Sequence, residues 1–140
     1  MNINETIQNF LEQKIKTNAN LKKFFNAGFQ LFYESTPENP QRPYLRYSIQ
    51  APVPQNRDLQ LQFTSYLCVV NFNIVGNSLM QVRVISQEIF ETFDKIISLT
   101  DFSNIEDVTI SYPKENISFD PQTSRQNFET SQELQFYFVI

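Results

Sequence analysis

Apolar residues recur at helical spacing near the start of the chain and again past its midpoint, and at alternate positions between and after. Ile7, Phe10, Leu11 and Ile15 form one stripe, which predicts a helix over residues 4–17 with Asn4 as its N-cap. Leu21, Phe24 and Phe25 predict a short second helical segment over 18–27, ended by Gly28. The longest stripe comprises Leu79, Val82, Ile85 or Ser86, Ile89, Phe93, Ile96 and Ile97. It predicts a helix from Asn77 to Ser98, with Gly76-Asn77-Ser78 breaking the preceding strand and capping the helix.

Alternation marks the strands. Phe29, Leu31 and Tyr33 predict one, and Leu45, Tyr47 and Ile49, alternating with Tyr44, Arg46 and Ser48, predict another. The Thr36–Pro40 stretch between them holds two prolines and reads as a turn. Ala51 to Leu59, with Pro52 and Pro54, reads as a projecting loop. Leu61 to Val75 is the longest strand signal. Apolar residues on both parities over 66–70 predict cover on both faces there. Val108, Ile110 and Tyr112 predict a short strand ending at Pro113, and the polar run from Asn116 to Asn127 a loop or bulged connection. Leu134, Phe136, Phe138 and Ile140 predict a closing strand. This order implies a single α+β domain over residues 1–140. Its central sheet is mostly antiparallel, with an N-terminal helix and one long amphipathic helix packed on it.

Composition narrows the function. A chain of 140 residues is long enough for one core without disulfides or metals, and its 14 Phe and six Tyr supply large apolar surfaces. There is no His and no Trp, with one Cys and two Gly. Without His, the commonest general base near neutral pH and the Ser-His and Cys-His nucleophile pairs are missing. With two Gly, no phosphate-cradling glycine loop can form. Asp101, Glu106 and Asp107 are the best carboxylate cluster, and a solvated turn explains them more simply. The chain therefore reads as a non-enzyme, with no cofactor and no metal.

A net charge of −4 disfavours a grip on nucleic-acid phosphates, and the only basic cluster, Lys14, Lys16, Lys22 and Lys23, reads as a solvated helix face. Cys68 sits in the apolar run Tyr66–Val70, as a buried small hydrophobe would. The opening MNINETIQNF lacks the basic and apolar parts of a signal peptide, and no run is apolar enough for a membrane helix, so an intracellular or intracellularly assembled protein is expected, without membrane contact.

Surface chemistry is what remains. Tyr44 and Arg46 share one strand face, a placement suited either to a partner contact or to an ordinary polar pair. Arg57 and Asp58 form the charged pair of the proline loop, a candidate contact or a plain hairpin feature. Arg125 suits an interface anchor or an idle loop residue.

The stretches PYLRYSIQAPVPQN, VVNFNIVGNSLMQVRVISQEIFETFDK and DVTISYPKENISFD, with the aromatic closing strand, cover about two thirds of the chain. Together they resemble the neck or tail-terminator (tail-completion) proteins of tailed bacteriophages. The matching parts are Pro43-Tyr44, Gly76, the helix from Asn77 to Ser98, and Arg125 before the Phe128–Ile140 strand. The longer insert of that family before the long strand is reduced here to Gln55–Gln60.

The resemblance implies a structural virion protein. Copies of the chain would form a ring, typically six-fold, between a head–tail connector or stopper and the tail tube protein. The ring would end the tail, join it to the head, and let DNA pass through its lumen without specific binding. Location in the virion neck, after assembly in the bacterial cytoplasm, follows from the same resemblance. The alternatives are a head-completion or stopper protein of the same neck, or a non-viral module binding a small ligand or peptide in a hydrophobic pocket between helix and sheet.

Overall fold

A computed structural model describes residues 2–24, 30–38, 40–57, 63–94, 105–122 and 124–139. Along the chain run α1 (Ile3–Lys16), α2 (Ala19–Lys22), β1 (Leu31–Tyr33), β2 (Tyr44–Ile49), β3 (Val53–Arg57), β4 (Phe63–Gly76), α3 (Leu79–Asp94), β5 (Ile105–Ile110), β6 (Lys114–Asp120) and β7 (Arg125–Val139). The fold is α+β, built on a mixed seven-stranded sheet.

Its spine is the pair β4 and β7, antiparallel in register from Ser65 against Val139 to Gly76 against Phe128. Each long strand carries two shorter ones end to end on its outer edge. Along β4 lie β2 and then β3, both antiparallel to it. Along β7 lie β5 and then β6, again antiparallel. β1 adds to β2 in parallel, pairing Leu31 with Leu45 and Tyr33 with Tyr47.

Directly opposed residues point to the same face of a sheet, so the register sorts the side chains. One face collects Leu45, Tyr47, Cys68, Val70, Phe72, Ile74, Leu134, Phe136 and Phe138, all buried. Onto it α1 lays Ile7, Phe10, Leu11 and Ile15, while α3 lays Val82, Ile85, Ile89 and Phe93. Phe10 meets Phe93 and Phe136 edge-on at 6.0 and 5.9 Å between ring centroids, and Phe72 stacks on Phe93 at 5.6 Å. Burying several such rings supplies the bulk of the driving force.

Local capping fixes the helix starts. Asn2, rather than Asn4, caps α1 by accepting from Glu5 N at 3.2 Å. Ser78 Oγ accepts from Gln81 N at 3.1 Å, and Gln81 Oε1 accepts from Asn77 N at 2.8 Å, a reciprocal closure at the turn from β4 into α3. Asn18 caps α2 and also donates to Thr92 Oγ1 at 2.7 Å, fastening α2 to α3.

Four expectations are corrected. The Ala51–Leu59 loop is in large part strand β3, paired with β4 from Val53 against Leu67 to Arg57 against Phe63. Pro54 is tolerated because β3 is an edge strand, where a missing donor faces outward. The Asn116–Asn127 stretch is not a loop: β6 pairs Lys114 with Ser131 through Asp120 with Arg125, and β7 starts at Arg125. Among the described residues β4 is covered by helices on one face only, where α1 and α3 pack, and Leu67 and Val69 are half-buried on the other. Val53 and Tyr137 flank Leu67 there and account for its apolar character. Glu106 and Asp107 lie within β5, with Asp107 at a bulge where its φ is 52°. Gly28, Phe29, Asp58, Leu61, Ile96, Ile97, Ser98, Asp101 and Ile140 lie outside the described residues.

Candidate assembly surface

The face of the sheet away from α1 and α3 is polar toward the end where β2 begins and β4 finishes. Arg46, Ser48, Asn71, Asn73, Ser131 and Glu133 share it by register. Asn71, Asn73, Ser111, Lys114, Ser131 and Glu133 line a depression of about 520 Å³. Five residues from Ile110 to Lys114 face four from Leu134 to Ser131, which bulges the edge at Ser111. Ser111 N donates to Glu133 O at 2.9 Å and Ser111 Oγ accepts from Glu133 N at 2.8 Å, so the bulge keeps its backbone satisfied.

Tyr44 and Arg46 do share this face. Tyr44 meets Phe32 edge-on at 5.9 Å, and burial raises its hydroxyl pKa above the usual value despite the lowering effect of Arg42 and Arg46. Arg46 sits opposite Asn73 and donates to its side-chain oxygen at 2.9 Å when that amide is oriented to donate to Phe72 O at 3.2 Å. Arg125 opens β7 opposite Asp120, exposed, with Nη2 donating to Asn77 Oδ1 at 3.4 Å. It thereby ties the β6–β7 turn to the start of α3.

Arg57 ends β3 opposite Phe63, at the far end of β4. Val75, which pairs with Tyr44, lies twelve residue steps further along β4 at about 3.3 Å each, or about 40 Å away. The expected contact residues thus belong to two ends of the molecule, and Tyr44, Arg46 and Arg125 form the described group. Arg42 belongs with them and was missed by the sequence reading. It donates to Gln126 O at 3.1 Å and to Asn127 Oδ1, bridging the segment before β2 to the first residues of β7. Its place directly before Pro43-Tyr44 was the available signal.

Exposed apolar side chains cluster on the helix side of the same end. Met80, Val84, Tyr112, Ile117 and Phe119 are exposed, Phe119 by 61% and Ile117 by 50%. Arg83 binds Glu115 through Nε–Oε1 at 2.5 Å and Nη2–Oε2 at 3.0 Å, which locks α3 to β6. The bidentate hydrogen bonds from Arg83 hold the Glu115 carboxyl below its ordinary pKa. Tyr112 stacks on Phe90 at 4.7 Å, a second tie between this edge and α3. These two ties hold α3 against β6 and against the segment after β5.

Among the described residues no group of three or more Cys, Asp or Glu is placed to hold a metal ion. No described helix is long and apolar enough to cross a membrane. Between helices and sheet, Phe10, Phe72, Phe93 and Phe136 are buried in the core.

No protein-family model matches the chain, and no curated protein matches it. Solved structures do match: among 21 such chains, one of a protein designated only by a serial identifier superposes with a TM-score of 0.61 at 16% identity. The superposition covers 98% of this chain and 95% of that one. At that identity the likeness shows a shared fold spanning both chains.

Proposed function

We propose that this chain is a structural virion protein of the tailed-bacteriophage neck, the subunit of a ring that ends the tail tube and joins the tail to the head. The observation that carries the reading is the set of exposed apolar side chains Met80, Val84, Ile117 and Phe119 at the end of the sheet whose opposite face carries Tyr44 and Arg46. It lies on the same parts that carry the resemblance: the Pro43-Tyr44 entry to β2, the Gly76 turn into α3, and the strand opened by Arg125. Aromatic and Arg side chains are favoured anchors at protein interfaces. Six copies in a ring, contacting the tail tube protein on one side and the connector or stopper on the other, give each part of this surface an occupant. A net charge of −4 suits a lumen through which DNA slides without sticking. The role is structural rather than catalytic and needs no cofactor.

The test is electron microscopy of the purified protein mixed with tail tubes. Ring-shaped particles capping tube ends are the expected result. Rings bound to portal-side connectors but never to tubes would move the assignment to a head-completion or stopper protein. Uncapped tubes with no rings would overturn both.

A further inference from the structure

Strand edges differ sharply in how they are protected. β3 carries Pro54 and two register shifts, and β5 carries a bulge at Asp107 next to Glu106. These are the usual guards against pairing with another chain. β6 from Asn116 to Phe119 and β1 from Leu31 to Tyr33 hold no charge and no proline, and their ladders carry no register shift. Among the described residues each of these strands pairs on one side only, β6 with β7 and β1 with β2.

The two unguarded edges lie at the same level of the sheet. One row runs Leu31, Leu45, Ile74, Thr130, Glu115, from one edge to the other. Following chain directions across that row, β1 and β2 run one way, β4 the opposite, β7 the first way again, and β6 opposite to β1. A second copy placed side by side therefore brings its β1 antiparallel to the β6 of the first.

We infer that β6 of one copy pairs with β1 of the next, so that a continuous sheet passes from subunit to subunit. The inference rests on the ring reading and names the contact that makes the ring. Keeping the helix-covered faces on one side restricts the register to steps of two residues. The register that sets Ile117 opposite Leu31, both on that face, also sets Asn116 opposite Phe32 and Ser118 opposite Gln30. One alignment thus sets an apolar pair on the helix-covered face and the polar pair Ser118 and Gln30 on the other. The contact joins two different surfaces, so it repeats from copy to copy and closes into a ring when the rotation between copies permits.

The test is oxidative cross-linking of the purified full chain carrying Gln30→Cys and Ser118→Cys, whose Cα atoms in an antiparallel pair lie within disulfide range. The native Cys68 is buried and serves as the unreactive background. A ladder of covalent multimers ending at ring size is expected, with neither single variant giving it. A dimer from Ser118→Cys alone would mean β6 pairs with β6 and would overturn the proposal, as would no cross-link from the double variant. Ile117→Lys is the second arm: Ile117 is half exposed, so melting of the single subunit stays unchanged while the ladder is lost. A full ladder from that variant also overturns the proposal. Tube capping separates the two claims. A ladder without capping leaves the seam and removes the neck assignment, and capping without a ladder does the reverse.

Discussion

The Tyr47 hydroxyl donates to Glu12 Oε1 at 2.8 Å, tying strand β2 to α1. The tyrosine is buried and its acceptor is half exposed, so the bond satisfies a buried hydroxyl at the margin of the core. Desolvation pushes the Glu12 pKa up, but hydrogen bonds from Tyr47 and Gln8, with Lys16 nearby, outweigh it and leave the carboxyl below its ordinary value.

Tyr47→Phe keeps the ring in place and removes only this bond, with an expected cost of about 1 kcal/mol at neutral pH. A group whose folded pKa is lowered contributes stability present above its unfolded value and lost as pH falls through the folded one. The difference between wild type and Tyr47→Phe is therefore expected to shrink below about pH 4. Urea unfolding of both proteins at pH 7 and pH 3.5 measures it. A difference that stays constant would assign it to packing rather than to the Glu12 bond.

Phe93 stacks on Phe72 and meets Phe10 edge-on, joining α3, β4 and α1 at one point. Phe93→Ala is expected to cost about 3–5 kcal/mol, read as a large drop in the denaturation midpoint. Stability unchanged by that substitution would contradict the packing described here.

The parts legible in the sequence are those whose burial is one-sided and strong. The helix stripes at Ile7–Ile15 and Val82–Phe93 and the alternation through Leu45–Ile49 are direct records of one apolar core. The parts misread are β3 and β6, both edge strands with mostly exposed side chains. With neither face buried, no period of two is imposed. Pro54 and the run Lys114–Asp120 then look like loop, although their backbones are paired. For the candidate surface, residue type gave Tyr44, Arg46 and Arg125, while the separation of Arg57 from them depends on strand pairing that no local pattern encodes.

Gly76 was legible as a break, and the structure adds why no side chain fits. A Cβ there would lie 2.7 Å from Val82 Cγ1 and 2.8 Å from Gln81 Oε1. Gln81 can swing away into solvent, but Val82 is buried in the core. Gly76→Ala is expected to lose about 1–3 kcal/mol through overpacking. Calorimetric melting checks this, and an unchanged midpoint would show that the β4–α3 turn yields more readily than its contacts imply.

Alkaline pH tests the core from another direction. Burial pushes the Cys68 thiol up to about 11 and raises the Tyr47 hydroxyl further above its ordinary range. A raised folded pKa gives stability that is complete below the unfolded value and is lost as pH rises through the folded one. For Cys68 that window runs from about pH 9 to about pH 11. Unfolding free energy measured across it is expected to fall, and to fall less steeply in Cys68→Ala. Parallel slopes in the two proteins would mean that the thiol is not responsible.

Arg125 separates fold from function. It is exposed, and its hydrogen bond to Asn77 is long at 3.4 Å, so replacement is expected to change stability by no more than about 0.5 kcal/mol. Its position opposite Asp120 at the β6–β7 turn presents it outward, beside Arg42 and the exposed Phe119. A charged anchor at an interface acts on a partner's surface, and reversing its sign sets like charges together. Arg125→Glu is therefore expected to melt like wild type and yet to fail at ending tails, leaving tubes of uncontrolled length in a complementation assay. Arg125→Lys keeps the charge but not the planar fork, and intermediate activity is expected from it. Tails of normal length and full infectivity from Arg125→Glu would show that this residue takes no part in the contact.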